Sequence, residues 1–564
     1  MAAGVFMKRY IPILGWLQSY QPGWARLDII AGLTTAAVVI PKTMATSVIA
    51  GVPVQVGLYT ALAPMLIYAV LGTSRPLSMS TTTTIGMLTA TALARLEEGD
   101  PQAVAVAAAG LAAMVGLTLL LASFLRLGAV ANLISDPVLA GFKTGLGLAI
   151  VVDQLPKLLG IHFHKASFLK NVASLVRHMP ETSLATLAAG AGTLILIFLL
   201  ARFLPKLPGP LIAVAGGIAA SAMLDLARRG VEVVGHMPPG LPGFRVPELA
   251  MLEELWPAAI GIALMSFTES IAVGRAFVTK DEPRPDPNQE LRALGLANIA
   301  GSLFHAMPAG GGTSETAVNR RAGARTQVSE LVTVAIAVLA VLFLAPLISL
   351  MPQATLAAVV VSTTAGLIKI KEMRSILKIR GMEFSWAVCA AIGVVLLGTL
   401  KGILVAIVVS VVAMAYDAYH CPVYAVGRKR GTDVFRKLSP EHPGDETIEG
   451  LLIVRTEGRI HFANAQGLAD KLWPLIRQSQ PKVLVLDCSA VTDLEYTALR
   501  MLTDGEETLR TQHITLWLAA LNPATLAVIR RSPLGEILGR ERMFFDLAQA
   551  VTRYRTLYGQ ASAV

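Results

Sequence analysis

From Leu27 to about Tyr419, apolar runs of roughly 17 to 25 residues follow one another with short polar breaks, the length a helix needs to cross about 30 Å of hydrocarbon. The pattern predicts spans near 27–49, 54–72, 82–96, 103–124, 129–150, 183–204, 208–225, 256–277, 290–305, 313–323, 328–348, 352–368, 383–400 and 402–419. That makes about fourteen, several of them too short to cross as one continuous helix. Beyond about Leu438 the period changes: "GLLIVRTEGRIHFAN", "AQGLADKLWPLIRQS", "KVLVLDCSA", "ALRMLTDGEETLRTQ" and "ITLWLAAL" alternate strand-like and amphipathic helical stretches. They predict a soluble α/β domain. The expected organisation is a lead-in at 1–26, a first membrane repeat at 27–225, a loop at 226–255, a second repeat at 256–419, a basic linker at 420–437 and the α/β domain at 438–560.

Two breaks differ from the rest. "SRPLSMSTTTTIGMLTATAL" (74–93) and "FHAMPAGGGTSETAVNRRAG" (304–323) each place a proline and then a hydroxyl-rich run before a short helix. They occupy corresponding positions in the two halves. With about seven spans each, the halves run with opposite topology, and paired interruptions at matched positions point to an inverted-repeat transporter. The free N–H groups and positive dipole ends of two half-helices meeting at mid-membrane favour an anion. Ser80, Thr81, Thr82 and Thr83 on one side, and Gly312, Thr313, Ser314, Glu315 and Thr316 on the other, are the candidate binding residues. Gly310, Gly311 and Gly312 are expected to let backbone approach the ligand closely. The competing reading is that these small residues only allow close helix packing; pairing of the two segments favours the site.

Composition agrees with a membrane protein: 54% of the 564 residues are hydrophobic and 15% charged. The net charge of +10 comes with basic residues clustered in short loops, as in "KIKEMRSILKIR" (369–380). This is the positive-inside pattern rather than a nucleic-acid surface, and it places both termini in the cytoplasm. Three well-separated cysteines, Cys389, Cys421 and Cys488, imply neither a disulfide framework nor a metal site. No phosphate-binding loop or catalytic constellation is present, so no enzyme and no cofactor is expected. Charges inside spans are a further signal, because an unpaired one is costly there. Lys42 follows Pro41, where the helix is expected to break; Glu269 and Glu315 are the others. Glu269 is the candidate for a coupling proton or sodium ion, with structural pairing as the alternative for all three.

At "AGVPVQVGLYTALAPMLIYAVLGTSR" (50–75), "ESIAVGRAF" (269–277) and "GGGTSETAVNRRAGARTQ" (310–327) the chain resembles the sulfate permease (SulP) family of anion transporters, and its tail resembles their STAS domain. The resemblance implies an α-helical polytopic fold: a seven-plus-seven inverted repeat split into core and gate domains, followed by the STAS-like domain. It also implies elevator-type alternating access and homodimers. The chain departs from relatives at Val56 (often Tyr), Lys42 (often Gln), "MSTTTT" (often beginning Gly-Pro) and Glu315 (often Arg). Lys42 and Glu315 are expected to be linked, the positive charge having moved from one helix to the other. In "LDCSAVTDLEYTAL" (486–499), Glu495 stands where related regulators present a phosphorylatable serine.

The expected function is secondary active transport of a small inorganic anion, sulfate first, coupled to protons or sodium, in the plasma (cell inner) membrane. Bicarbonate, chloride or a dicarboxylate are the alternatives. A membrane sensor or scaffold whose tail recruits a cytoplasmic protein, or a channel, are readings of other classes; uptake and counterflow in liposomes separate them.

Overall fold

A computed structural model describes residues 11–94, 101–132, 134–163, 167–205, 207–235, 237–238, 240–247, 252–279 and 282–558. Parts of the expected lead-in (1–10), of the loop 226–255 and of the span 82–96 lie outside the described residues, as do the last two positions of 438–560. The chain divides into two compact units, Met1–Val411 and Val412–Val564.

Among the described residues, nine helices are long and apolar enough to cross a membrane. In chain order the membrane unit runs α1 (Pro22–Ala50), α2 (Val54–Thr60), α3 (Ala63–Leu71), α4 (Thr83–Leu93), α5 (Pro101–Phe124), α6 (Asp136–Leu159), α7 (Leu184–Phe203) and α8 (Gly209–Leu224). The second half runs α9 (Leu252–Ala276), α10 (Pro287–Leu303), α11 (Thr313–Arg321), α12 (Val328–Leu339, prolonged to Ile348 through a π turn), α13 (Gln353–Thr364), α14 (Gly381–Leu397) and α15 (Thr399–Tyr419). α2 and α3 form one broken span. The short helices α4 and α11 stand at matched places in the two halves.

Packing sorts most of these helices into two groups, with α1 of the first also lying against α8 and α13 of the second. In the first, α5 lies against α9 and α10, α10 against α3, and α1 against α11 and α12. In the second, α6 lies against α13 and α14, and α7 against α8 and α13. With little hydrophobic drive between helices in lipid, close approach rests on small residues. A Cβ on Gly145 of α6 would stand 2.6 Å from the Ala391 carbonyl oxygen of α14, and one on Gly116 of α5 would stand 2.7 Å from that of Gly295 on α10.

α1 runs through Pro41 without a break, contrary to the expectation at that position. Hydroxyls of the same helix take up carbonyls around the proline: Thr43 Oγ1 donates to Ile40 O at 3.1 Å, Thr46 Oγ1 to Lys42 O at 2.8 Å and Ser47 Oγ to Met44 O at 2.7 Å. These bonds add to the helical ones around the proline; the carbonyl that loses its i+4 donor to Pro41 is that of Ala37.

Ahead of α4 and α11 the chain is unwound, and its short extended pieces β1 (Met79–Ser80) and β2 (Gly310–Gly311) pair antiparallel, Met79 with Gly311 and Ser80 with Gly310. The approach to β1 is held by side chains from far along the chain. Gln327 Nε2 lies 2.8, 3.1 and 2.9 Å from the carbonyls of Ser74, Arg75 and Leu77. Asn319 Nδ2 donates to Pro76 O at 3.1 Å. Glu290, fully buried, accepts from the Thr73 N–H at 2.7 Å and the Tyr68 hydroxyl at 2.8 Å. The approach to β2 is held likewise: Thr60 Oγ1 accepts from Met307 N at 3.2 Å, and Asn298 Oδ1 from Ala309 N at 2.8 Å.

The second unit is an α/β domain whose sheet has the order β4 (Phe435–Lys437), β3 (Val423–Lys429), β6 (Leu451–Ile460), β7 (Val483–Leu494), β8 (Thr515–Ala519), β9 (Met543–Phe544), with β5 (Asp445–Glu446) also on β3. β6 to β9 are parallel and β3 joins antiparallel. The stretch expected as a basic linker, 420–437, therefore contributes two strands of this sheet. Its charge masked the strand pattern, yet the basic residues are paired: Arg436 meets Asp445 at 2.8 Å and Arg428 meets Asp433 at 2.6 Å. Arg459 bridges Asp493 at 3.1 Å and Glu495 at 2.9 Å, so Glu495 is held as a carboxylate partner at the start of the helix Tyr496–Thr511. Burial, with Asp487 beside it, pushes the Cys488 thiol up to about 12, which leaves it unreactive at neutral pH.

Gln327→Leu removes the donor that the approach to β1 depends on, leaving buried carbonyls unsatisfied. We expect a loss of about 2–4 kcal/mol, read as a lower unfolding temperature of the detergent-purified protein; an unchanged transition shows that other groups hold this segment.

Candidate anion site

The two half-helices begin side by side because β1 and β2 are bonded to each other. α4 has 11 residues and α11 has nine. The first N–H groups of each lack intrahelical acceptors and carry the positive end of the helix dipole. At α4 the Thr82 side chain caps the Ile85 N–H at 3.2 Å. At α11 the N-cap is Gly312, which has no side chain to place there. Thr313 and Ser314 are exposed, although they sit among buried neighbours, so the first turn of α11 is accessible.

Around these helix starts the candidate side chains fall into two clusters. In the first, Lys42 Nζ is in direct contact with Glu315 Oε1 and 3.1 Å from Ser314 Oγ. Ser314 Oγ donates to Glu315 Oε2 at 3.0 Å and Ser80 Oγ to Glu315 Oε1 at 3.3 Å. Lys42 and Glu315 are 6% and 0% exposed, which makes this a buried, fully engaged ion pair. In the second cluster, Glu269 accepts from Thr82 Oγ1 and Thr84 Oγ1, both at 3.1 Å, and pairs with Lys143 Nζ at 3.3 Å. Thr81 Oγ1 is buried with no hydrogen-bond partner, and Thr83 is buried beside it. Thr316 turns to the scaffold, where its Oγ1 accepts from Ser78 N at 3.0 Å.

The three glycines are required for packing. A Cβ on Gly310 would lie 2.7 Å from Ser266 Oγ of α9, and one on Gly311 would lie 3.0 Å from Ser270 Oγ. A Cβ on Gly312 would press into the Glu315 carboxylate. β2 and the residue before it lie directly on α9, where Ser270 Oγ accepts from Gly311 N at 2.7 Å and Ser266 Oγ donates to Ala309 O at 2.7 Å.

Sequence reasoning did not find Lys143, Thr84, Glu290, Asn319, Gln327 or Glu330. Lys143 met the criterion that singled out Lys42 and Glu269, a charge within an apolar span. Glu330, fully buried, accepts from Ser78 Oγ at 3.0 Å and Asn319 Nδ2 at 3.1 Å. At the helix starts Lys42 offsets Glu315 and Lys143 offsets Glu269, so each of these pairs is neutral. What remains is the potential of the helix ends and their hydroxyls, which suits an anion.

The sulfate permease family matches residues 26–391 and the STAS domain residues 442–550. The chain belongs to the sulfate permease family. A probable sulfate transporter of Mycobacterium tuberculosis is 32% identical over 542 residues, 95% of this chain and 97% of its own. Sulfate transporter 4.1, chloroplastic, of Arabidopsis thaliana is 28% identical over 566 residues, 96% of this chain and 82% of its own. Among solved structures, the murine Slc26a9 anion transporter in its inward-facing state superposes with a TM-score of 0.89 at 21% identity, covering 98% of this chain and 95% of that one. The transmembrane domain of a cyanobacterial bicarbonate transporter, BicA, gives 0.59 at 22% identity, covering 70% of this chain and 98% of that one. At these identities the two structures show the fold alone. As a sulfate permease with a STAS domain, the chain is a multi-pass membrane transporter of anions and not an enzyme.

Lys42→Gln and Glu315→Arg each break a buried pair, and together they move the positive charge from α1 to α11. We expect each single variant to lose transport and the double variant to recover part of the loss, a coupling of roughly 0.5 to 3 kcal/mol in kcat/KM. Strictly additive losses rule out a functional exchange of charge between the two helices.

Proposed function

We propose that this sulfate permease is a secondary active carrier of a small inorganic oxyanion, sulfate first, coupled to protons or sodium. The observation that carries this reading is the meeting of α4 and α11, one from each repeat, with their positive ends and hydroxyls at one place. The names of the relatives favour sulfate. The charge balance favours coupling: an arriving anion adds charge that the two neutral pairs do not already offset, and a proton on Glu269 or Glu315 offsets one unit of it. The sorting of helices into two packed groups supports an elevator movement of one group against the other. The carrier works in the plasma (cell inner) membrane as a homodimer, with its STAS domain cytoplasmic and available to a protein partner.

Purified protein in liposomes, given a panel of labelled anions under imposed proton or sodium gradients, tests the reading. Accumulation with saturation and counterflow is expected; conductance without either identifies a channel, and no flux of any anion leaves the sensor or scaffold reading.

A neutral amide cannot exchange a proton, so Glu269→Gln is expected to abolish gradient-driven accumulation while counterflow persists. Undiminished accumulation removes Glu269 from the coupling step.

Removal of the STAS domain is expected to lower expression or rate and leave the order of preferred anions unchanged. Because β3 belongs to that domain, the cut must precede Val423. A changed order of preference moves the site out of the membrane unit.

A further inference from the structure

The pair between Lys143 and Glu269 joins helices that pack in different groups. α6, which carries Lys143, lies against α13 and α14, whereas α9, which carries Glu269, lies against α4, α5 and β2. The side chains are 17% and 6% exposed, with Nζ and Oε1 3.3 Å apart. The same carboxylate holds the hydroxyls of Thr82 and Thr84 at the start of α4. One carboxylate thus ties a candidate binding helix to a lysine of the other group.

We propose that Lys143 is the positioning residue through which the protonation of Glu269 governs movement of one helix group past the other. The inference rests on the carrier reading above. While Glu269 is ionised, pulling it from Lys143 leaves two poorly hydrated opposite charges without partners, which is strongly unfavourable. A proton on Glu269 cancels the attraction, and the released ammonium then faces the anion. The carrier is therefore held when Glu269 is charged and freed when it is neutral.

The other charges on elements packed against α9 are engaged or distant. α4, α5 and Leu127–Asn132 carry no ionisable residue. On α10, Glu290 is bonded to Tyr68 and Thr73, and Arg292 to Ser123. On α11, Glu315 is paired with Lys42 and Arg320 with Glu282, and Arg321 is exposed. α9 itself carries Glu253, Glu254 and Arg275 at its two ends, and α6 carries Asp136, Asp153 and Lys157 seven or more positions from Lys143.

The test is exchange of labelled sulfate by the full-length protein in liposomes, with the same pH inside and out, from pH 6 to pH 8. We expect wild-type exchange to be several-fold faster at pH 6 than at pH 8. Lys143→Gln is expected to exchange fast at pH 8, cutting that ratio at least threefold, while Lys143→Arg keeps the wild-type profile. A folded Lys143→Gln protein with the wild-type profile overturns the proposal, as does wild-type exchange that ignores pH. Should Lys143→Gln fail to fold, the double variant Lys143→Gln/Glu269→Gln, which leaves no charge unpaired, carries the test. Its exchange should match Glu269→Gln and be flat with pH; a remaining slope overturns the proposal. Wild-type protein that moves no anion defeats the carrier reading and this inference together, whereas the other failures defeat this inference alone.

Discussion

Inside a hydrocarbon layer every backbone N–H and C=O must find a partner within the protein, and an unwound segment there is the hardest case. Among the described residues two such segments pair with each other, β1 and β2 with their approaches, and each answers much of the other's need. β1 and β2 pair, Gly312 N donates to Ser78 O at 3.0 Å, and polar side chains of α9, α10 and the stretch after α11 take most of the remaining groups. The helix starts are consequently fixed in place before any ligand arrives. A binding site needs that kind of preorganisation, and here the requirement of backbone satisfaction supplies it.

The electrostatics follow from the same geometry. Glu315 in the first turn of α11 would by itself oppose an anion, and Lys42 neutralises it by direct contact. Glu269 near the start of α4 would do the same, and Lys143 stands against it. The two pairs differ in what they join. Lys42 and Glu315 sit on α1 and α11, which pack directly on each other and can travel together. Lys143 and Glu269 sit on different groups, so relative movement has to deal with that pair first.

Much of this was legible in the residues. Two hydroxyl-rich runs at matched positions marked the half-helices, and charges within apolar spans marked Lys42, Glu269 and Glu315. The partners of those residues were not legible. Gln327 and Ser74 are 253 positions apart, and no local pattern announces that an amide will serve three carbonyls at that separation. Pro41 looked like a break because the proline signal is local, whereas the packing of α1 against α11, α12 and α13 is not. The triple glycine looked like room for a ligand, but the room is filled by Ser266, Ser270 and Glu315. The basic run before the tail looked like a linker because charge concealed the alternation of two strands, β3 and β4.

The long reach of these bonds also has a consequence in time. Ser78 and Glu330, joined by a 3.0 Å hydrogen bond, lie 252 residues apart in the chain. At a synthesis rate of about 5–20 residues per second, the first unwound segment waits roughly 10–50 s for the residues that will satisfy it. Throughout that interval its polar backbone cannot rest in lipid alone. The first half of the protein must therefore be sheltered or hydrated at the site of insertion, and the second half acts on it as a built-in chaperone that stays as part of the finished molecule.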